Sequence, residues 1–292
     1  MIETNWMIKN ALRWGVDYLK DNGVDSPKLD AEILLMYSLN IDRIKLHLIA
    51  DKILNAKERE LYKECIERRS KRDPVAYITG HKEFMSLDFK LTKAVLVPRP
   101  ETEILVEETL RECAQRKDKK SFIRILELGT GSGIIAVSLA KAIKQISLVA
   151  TDISLEIIKV AVKNAHLHKV NDKITFFIGR YLQGIKQKEN RFDFIVSNPP
   201  YLSRSDWESA QPEIREHEPS DSLLGGEDGM DFYRTIIPDT SNLLSEDGCL
   251  LLEVGIGQTE IVSGMIKKTA SYSRVELIKD LSGIKRVVKA LK

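Results

Sequence analysis

The chain has 292 residues, of which 43% are hydrophobic, and this length favours two domains with ordinary packed cores. Its 45 basic and 43 acidic residues give a net charge of +2, which excludes a bulk attraction to polyanions such as nucleic acid. The three cysteines are far apart and predict neither disulfides nor a metal site. Because no apolar run suits a signal peptide or a membrane span, we expect a cytoplasmic protein with reduced thiols.

The first seventy residues predict a small helical bundle. Apolar residues recur at near-helical spacing over 6–19, and Asp25-Ser26-Pro27 offers a cap and a first-turn proline for a second helix. A third short helix is predicted over 42–50, and Asn55 with Glu58 has capping-box spacing before a fourth. The charges of this segment indicate a solvated face rather than a nucleic-acid site.

A linker follows the bundle. Asp73-Pro74 breaks the last helix, and partial alternation over 84–91 predicts a β-hairpin. Pro98-Arg99-Pro100-Glu101 ends this linker and leads into a helix over 102–116. The chain therefore divides into three predicted parts: a helical bundle at 1–73, a hairpin linker at 74–100 and a second domain at 101–292.

From Phe122 the pattern changes to alternating strands and helices, which predicts βαβ units and a parallel sheet. A long loop separates the fourth strand from the rest of this domain. The predicted strands are 123–128, 148–152, 174–178, 192–196, 249–254, 275–279 and 286–290. The predicted helices are 134–143, 155–166, 231–244 and 258–268.

A glycine-rich loop follows the first strand of this sheet. Its sequence over 127–133 is Glu-Leu-Gly-Thr-Gly-Ser-Gly, and such glycines allow a tight turn and close approach of a ligand to the backbone. The third glycine comes one position too early for the G-x-G-x-x-G fingerprint, which argues against NAD. Asp152 ends the second strand, where it would accept hydrogen bonds from ribose hydroxyls or, alternatively, cap the next helix. An adenosine ligand without a polyphosphate fits this pattern, and S-adenosylmethionine is such a ligand.

The segment Asn198-Pro199-Pro200-Tyr201 follows the buried fourth strand. The Asn198 side-chain oxygen and the Pro199 carbonyl can accept the two hydrogens of an incoming –NH2 group, and Tyr201 can cover its flat face. The alternative interpretation is a simple extended proline turn. The first, second and fourth strands of a parallel sheet end at one edge, so Asn198 would hold the amino group beside the methyl group of the cofactor.

These motifs together resemble the class I methyltransferases and, within them, the release factor glutamine N5-methyltransferases of the PrmC/HemK family. The resemblance covers nearly the full chain and implies a Rossmann-like domain with a mostly parallel, seven-stranded sheet after a helical bundle and a hairpin. It implies methyl transfer from S-adenosylmethionine to the glutamine of the Gly-Gly-Gln motif in peptide chain release factors. The matching segments are Asp73 to Tyr77 with Gly80, Pro98 to Glu103, Gly129 to Gly133, Asn198 to Tyr201, Glu218-Pro219 and Gly225 to Gly229.

Site roles also follow from the resemblance. Arg180 departs from the family pattern, which has an acidic residue just before the adenine-flanking position. The implied substrate-binding, catalytic residues are Asn198, Pro199, Pro200 and Tyr201. The implied cofactor-binding residues are Glu127, Gly129, Thr130, Gly131, Ser132, Gly133, Asp152, Tyr181 and Asn198. We further expect a monomer whose helical bundle docks the release factor, with S-adenosylhomocysteine as product and no nucleic-acid or membrane partner.

Other functions remain as alternatives. An enzyme that methylates an exocyclic amino group of adenine, cytosine or guanine also needs a pocket for –NH2 on a flat carrier, reached by base flipping on a duplex. The near-neutral charge and the lack of a basic, aromatic-interleaved segment argue against it. A non-catalytic adenosine-binding module is disfavoured by the intact segment over 198–201, and a nicotinamide dehydrogenase by the glycine spacing.

Overall fold

The computed structural model describes residues 6–116, 122–185 and 191–292. Contacts divide these residues into two units. The first unit contains the described residues up to His81 together with Gln211–His217, and the second contains those within Lys82–Ala210 and Glu218–Lys292. Within the described ranges, no helix combines the length and the apolar character that crossing a bilayer requires.

The described residues form twelve α-helices, of which α1 to α5 and α10 belong to the first unit. In chain order they are α1 (Ile8–Asp21), α2 (Pro27–Leu39), α3 (Arg43–Leu48), α4 (Ala56–Ser70), α5 (Val75–Thr79), α6 (Glu103–Gln115), α7 (Ile134–Ala142), α8 (Leu155–Leu167), α9 (Arg204–Glu208), α10 (Pro212–His217), α11 (Asp231–Leu243) and α12 (Thr259–Lys268).

The first unit has its own apolar core between α1, α2 and α4. Leu34 and Tyr62 are fully buried there, and a Cβ on Gly15 would lie 2.1 Å from the Tyr62 hydroxyl, so α1 approaches α4 closely. The predicted capping box is confirmed, because Asn55 and Glu58 each accept from the backbone N–H of the other at 2.9 Å. This unit therefore folds around local helix signals and one shared core.

Charged side chains hold α10 in the first unit. The buried Arg69 donates to Asp30 at 2.7 Å and to Glu213 at 3.0 Å, and Arg72 donates to Glu213 at 3.1 Å. The bidentate geometry of arginine suits such a shared arrangement. The sequence analysis placed α10 within a long loop, because a six-residue helix is too short to show an apolar period.

The described residues also form nine strands in two sheets. The predicted hairpin is confirmed as a two-stranded sheet, and Met85 and Ser86 form its turn with φ of 51° and 58°. Positive φ at both central residues is the mark of the hairpin-favoring type I′ turn. The strands are β1 (His81–Phe84), β2 (Leu87–Lys90), β3 (Ile123–Leu128), β4 (Ile146–Asp152), β5 (Ile174–Ile178), β6 (Phe192–Ser197), β7 (Leu244–Glu253), β8 (Arg274–Lys279) and β9 (Lys285–Leu291).

The main sheet has seven strands in the order β5-β4-β3-β6-β7-β9-β8. The first five are parallel, and β9 runs antiparallel to both β7 and β8. This confirms the predicted mostly parallel, seven-stranded α/β sheet. Leu128 lies opposite both Thr151 and Ser197, and Ser197 lies opposite Leu252, so β3, β4, β6 and β7 end at one edge. That edge, at a change of strand order, is where ligands bind in such sheets.

Some element boundaries differ from the prediction. Strand β7 begins at Leu244, five residues before the predicted start at Cys249, because the buried Leu244 pairs with Phe192 and a polar stretch over 245–247 interrupts the apolar pattern before Cys249. The predicted helix over 102–116 begins with a 3-10 turn, Pro100–Thr102, before α6. Short helix α5 lies in the segment predicted as the hairpin linker, and α9 lies in the predicted long loop.

Candidate active site

A cavity of about 530 Å³ opens at the carboxyl edge of β3, β4 and β6. This volume lies within the range of small-molecule sites. Eight residues that the sequence assigned to the site line it: Gly129, Thr130, Gly131, Ser132, Asp152, Tyr181, Asn198 and Pro200. Four other predicted site residues lie in the described part of the chain but outside this lining: Glu127, Gly133, Pro199 and Tyr201.

The glycine loop, Gly129–Gly133, is shaped by its own backbone. The N–H groups of Gly129 and Thr130 both donate to the Thr151 carbonyl at 2.9 Å, which folds the loop over the end of β4. Gly129 and Gly131 have φ of +73° and +55°, and a Cβ on either would meet nothing within 4 Å. Open space beside a left-handed backbone lets a ligand lie directly against the loop.

Asp152 closes the glycine loop from the end of β4. Its Oδ2 accepts from the Gly131 N–H at 2.8 Å, and its Oδ1 accepts from the Ile153 N–H at 2.8 Å. Burial raises the pKa of Asp152, and these two backbone hydrogen bonds oppose the rise. The alternative helix-capping role is wrong, because the N-cap of α8 is Ser154, whose hydroxyl accepts from the Ile157 N–H.

Glu127 lies beneath the glycine loop, fully buried. Its Oε2 accepts from the Thr130 hydroxyl at 2.8 Å. Burial raises the pKa of Glu127 to about 8, and the nearby Asp152 charge adds to the rise. Glu127 therefore supports the loop from below, whereas Gly133 is the N-cap of α7, where an added Cβ would lie 3.2 Å from Ala161.

Tyr181 forms an aromatic wall of the cavity together with Phe232 of α11. The two rings meet edge to face with centroids 5.3 Å apart. The Arg180 guanidinium, which departs from the family pattern, lies 5.1 Å from the centre of the Tyr181 ring. The sequence analysis missed Phe232, because an aromatic residue in the first turn of a predicted amphipathic helix looks like an ordinary core residue.

Asn198 follows directly after β6, and its side chain has a fixed partner. Its Nδ2 donates to the Thr102 hydroxyl at 2.9 Å, and Thr102 is completely buried. This hydrogen bond uses the amide nitrogen and leaves the amide oxygen as the acceptor available to a ligand. The sequence analysis gave Thr102 no role, although its position in the Pro98 to Glu103 motif was a signal.

The acceptor segment, Asn198–Tyr201, is held from outside by two glycines and one glutamine. A Cβ on Gly225 would lie 2.6 Å from the Pro200 carbonyl oxygen, and one on Gly229 would lie 2.3 Å from the Tyr201 carbonyl oxygen. Gln258 donates to the Tyr201 carbonyl at 2.8 Å while its own oxygen accepts from the Gly255 N–H. The loop over 225–229 therefore supports this segment through close backbone packing.

Known proteins resemble the chain over nearly its whole length. Residues 10–80 match the model of the PrmC N-terminal domain, and residues 102–214 match the methyltransferase small domain. The release factor glutamine methyltransferase of Geobacter sulfurreducens is 41% identical over 97% of this chain and 96% of its own. The chain belongs to the release factor glutamine methyltransferase family. A second relative of that name, from Rhodopirellula baltica, is 34% identical over 98% of this chain and 96% of its own.

A solved structure supports the fold of this family member. The hMettl16 catalytic domain in complex with MAT2A 3′UTR hairpin 1 covers 88% of this chain and 90% of its own, with a TM-score of 0.56. At 14% sequence identity, this likeness shows the Rossmann-like methyltransferase fold alone. This likeness confirms the predicted fold class, and the full-length relatives confirm the prediction of a methyltransferase.

Two motifs of this methyltransferase meet beside the cavity. The buried Glu218 accepts from the Val97 N–H at 3.1 Å and from the Arg99 guanidinium at 2.5 Å. Arg99 and Pro98 line the cavity. The Glu218-Pro219 motif therefore holds the Pro98–Pro100 segment in place through a charge-assisted hydrogen bond. In the part of the chain that the structure describes, no cluster of His, Cys, Asp and Glu side chains is arranged for a metal ion.

Proposed function

We propose that this protein transfers a methyl group from S-adenosylmethionine to N5, the side-chain amide nitrogen, of the glutamine in the Gly-Gly-Gln motif of peptide chain release factors. The observation that carries the proposal is the hydrogen bonding of the Asn198 side chain at the cavity. Its nitrogen is tied to Thr102, and its oxygen is the remaining acceptor for an incoming amide. The names of the full-length relatives support the release factor as the substrate.

The residues around the cavity fit S-adenosylmethionine. The open side of the glycine loop suits a ligand that lies against the backbone, and the Asp152 carboxylate suits ribose hydroxyls. Tyr181 and Phe232 supply a wall for a flat base. When bound, this cofactor supplies a methyl group that its sulfonium already activates toward displacement. The protein then has to align a nucleophile with that methyl group, a positioning effect that contributes up to about 7–11 kcal/mol.

The acceptor segment has the chemistry that an amide nucleophile needs. An amide nitrogen is a poor nucleophile because its lone pair is delocalised into the carbonyl. The Asn198 oxygen and the Pro199 carbonyl accept the two amide hydrogens and favour a pyramidal nitrogen whose lone pair faces the methyl group. These hydrogen bonds strengthen as positive charge develops on nitrogen, so they stabilise the transition state more than the ground state. The amide nitrogen gains the methyl group and releases one proton to solvent, which leaves the neutral N5-methyl amide and S-adenosylhomocysteine as products. Pro200 lines the cavity and keeps the segment rigid, whereas Tyr201, which lies outside the cavity lining, anchors the end of the segment through its carbonyl.

The test is mass spectrometry of a release factor after incubation with the enzyme and S-adenosylmethionine. We expect a gain of one methyl group on the Gly-Gly-Gln glutamine and none on a release factor in which asparagine replaces that glutamine. The alternative substrate is an exocyclic amino group of a nucleic acid. A cell extract treated with the enzyme and labelled cofactor separates the two proposals. Label that resists nuclease and is lost with protease supports the protein substrate, and the reverse result overturns it.

The helical first unit has a proposed role in docking the release factor. A single glutamine buries too little surface to select one protein among many, so other contacts must supply selectivity. Ile44 and Leu48 are one turn apart on α3 and have exposed fractions of 74% and 78%. Exposed apolar neighbours of this kind suit a protein-binding surface. We propose a cytoplasmic location for the enzyme, since its substrate acts in translation, and retain the expectation of a monomer.

Paired serine substitutions test this docking surface. We expect Ile44→Ser with Leu48→Ser to lower kcat/KM on the whole release factor by about fivefold or more, by analogy with interface hot spots. The rate on a short Gly-Gly-Gln peptide should not change, because the peptide never uses those contacts. Leu281→Ser is the matched control, since Leu281 is fully exposed in the second unit. Equal loss on peptide and protein would contradict the docking role.

A further inference from the structure

The side chain of Gln258 joins the acceptor segment to the turn after β7. Gln258 is the N-cap of α12. Its Nε2 donates to the Tyr201 carbonyl at 2.8 Å, and its Oε1 accepts from the Gly255 N–H at 2.9 Å. A backbone carbonyl can only accept and a backbone N–H can only donate, so these two partners fix which end of the Gln258 amide faces the acceptor segment.

Two glycines leave room for these hydrogen bonds. An added Cβ on Gly229 would lie 2.3 Å from the Tyr201 carbonyl oxygen and 2.8 Å from the Gln258 Nε2. An added Cβ on Gly255 would lie 2.9 Å from the Gln258 Oε1 and 3.1 Å from the Tyr201 ring. A side chain at either glycine would therefore displace the amide or its partner. Gly229 belongs to the loop over 225–229, a motif that the chemistry of methyl transfer does not itself use.

The acceptor segment is stiff between its two ends. Pro199 and Pro200 each fix their own φ, and a following proline also restricts Asn198 and Pro199 to extended conformations. Neither proline has a backbone N–H, so no donor of its own holds the middle of the segment. The direction of the Pro199 carbonyl therefore depends on how the two ends are fixed. At the first end, the hydroxyl of Ser197 donates to the Leu128 carbonyl at 2.7 Å.

Gln258 fixes the other end of the acceptor segment. Just beyond that end, the Leu202 N–H donates to the Leu223 carbonyl at 2.8 Å, so backbone pairing continues the chain from there. The Tyr201 carbonyl itself accepts from the Gln258 side chain. Without that hydrogen bond the Tyr201 carbonyl could turn, and the stiff proline pair would pass the movement on to the Pro199 carbonyl.

We propose that Gln258 is a positioning residue for methyl transfer, which acts through Tyr201 to keep the Pro199 carbonyl directed at the target –NH2 group. The inference rests on the proposed function, in which that carbonyl accepts a hydrogen of the target amide. Gln258 lies outside the cavity lining, so it contacts neither cofactor nor substrate in this scheme. Its contribution is to hold an acceptor in place before the substrate arrives, so that no reorientation is needed during the reaction.

The kinetic test separates the two hydrogen bonds of Gln258 in the full-length protein. Gln258→Glu keeps the acceptor for the Gly255 N–H and loses the donor to Tyr201, whereas Gln258→Lys keeps a donor and loses the acceptor. We expect Gln258→Glu to lower the single-turnover rate on a release factor about tenfold, the size expected for one lost hydrogen bond, with a nearly unchanged Kd for S-adenosylmethionine. Gln258→Lys should retain more of the rate. Gln145→Glu is the control for the added charge, because Gln145 is exposed between α7 and β4.

A purely structural role of Gln258 in the turn after β7 predicts the opposite order, since that role depends on the hydrogen bond with Gly255. A near-normal rate in Gln258→Glu, or a lower rate in Gln258→Lys than in Gln258→Glu with both variants folded by circular dichroism, would overturn the proposal.

A second measurement needs no substrate, namely the carbonyl carbon resonance of Tyr201, observed by nuclear magnetic resonance. Gln258→Glu and Gln258→Met should both shift this resonance upfield, because the carbonyl loses a hydrogen bond, and an unchanged resonance in both would also overturn the proposal. A wild-type enzyme that methylates a nucleic-acid amino group and no release factor would defeat the proposed function. The same comparison of rates on that substrate would then decide the positioning role of Gln258.

Discussion

The glycine loop and the acceptor segment form two sides of one cavity, yet they are held in different ways. The glycine loop is fixed by its own backbone N–H groups, which donate to the Thr151 carbonyl and, across 21 residues, to the Asp152 carboxylate at the end of the neighbouring strand. The acceptor segment is fixed by groups far away in the chain, both side chains and the close-packed backbone of Gly225 and Gly229. Thr102 lies 96 residues from Asn198, and Gln258 lies 57 residues from Tyr201.

Because the two regions are held differently, substitutions near each of them should have different effects on activity. A loop held through its own N–H groups depends on the few residues that permit its conformation and on the neighbouring carboxylates of Asp152 and Glu127. A segment held by distant side chains depends on each of those side chains separately. We therefore expect damage around the glycine loop to weaken cofactor binding, and damage around the acceptor segment to lower the rate of methyl transfer with cofactor binding retained.

The largest effect is expected for Asn198→Ala. This change removes an acceptor whose hydrogen bond strengthens in the transition state, so kcat should fall at least about a hundredfold. Single-turnover methylation of a release factor measures the rate, and calorimetry measures the affinity for S-adenosylmethionine. Most of that affinity should remain, because the glycine loop is untouched. A near-normal rate would show that another group positions the substrate amide.

Asp152→Ala should instead weaken cofactor binding and leave the rate of methyl transfer nearly unchanged. It removes a charged acceptor for ribose hydroxyls, which costs about 1.5–3 kcal/mol and raises the Kd for S-adenosylmethionine more than tenfold. At saturating cofactor the rate of methyl transfer should stay close to the wild-type value. Asp152→Asn is the matched control for shape, and it should weaken binding less than the alanine. Calorimetry that finds an unchanged Kd in Asp152→Ala would contradict the ribose role.

The same difference explains how much the sequence could predict. The glycine loop and Asp152 could be assigned to the site from the sequence, because they lie at the ends of consecutive predicted strands. Strand and helix alternation likewise predicted a parallel sheet, since each element has its own period. Thr102, Phe232 and Gln258 were given no site role, because their importance comes from which segments the fold brings together. No local pattern records a contact between a 3-10 turn and a strand end 96 residues away.

Gly229→Ala tests whether close backbone packing holds the acceptor segment. Gly229 has φ of +78°, and its Cβ would lie 2.3 Å from the Tyr201 carbonyl oxygen. Displacement of that carbonyl should lower the rate about tenfold, by analogy with misplaced catalytic groups, with an unchanged cofactor Kd. Gly283→Ala is the matched control, because Gly283 has φ of +79° and open space around it. Equal activity of the two variants would show that backbone strain, and not displacement of Tyr201, is the only consequence.

The last expected effect is on stability and not on the rate, at Glu127 beneath the glycine loop. Its pKa is raised to about 8 by burial, whereas an unfolded glutamate has a pKa near 4.5. The folded state therefore binds the proton more tightly, and the stability contributed by this group is complete below about pH 4.5 and is lost as the pH rises toward about 8. Within that window the loss is up to about 1.4 kcal/mol per pH unit, which corresponds to a few degrees in Tm.

Glu127→Gln removes this titration while keeping a side chain that can accept from Thr130. The Tm of the variant minus the Tm of the wild type should therefore be larger at pH 8 than at pH 6. Thermal unfolding of the cofactor-free proteins at both pH values measures this difference. Glu107→Gln is the control for the loss of one carboxyl group, because Glu107 is exposed on α6. A Tm difference for Glu127→Gln that does not change with pH would mean that the carboxyl keeps its ordinary pKa. The glycine loop would then rest on a charged group, and its stability would depend on the Thr130 hydrogen bond instead of on protonation.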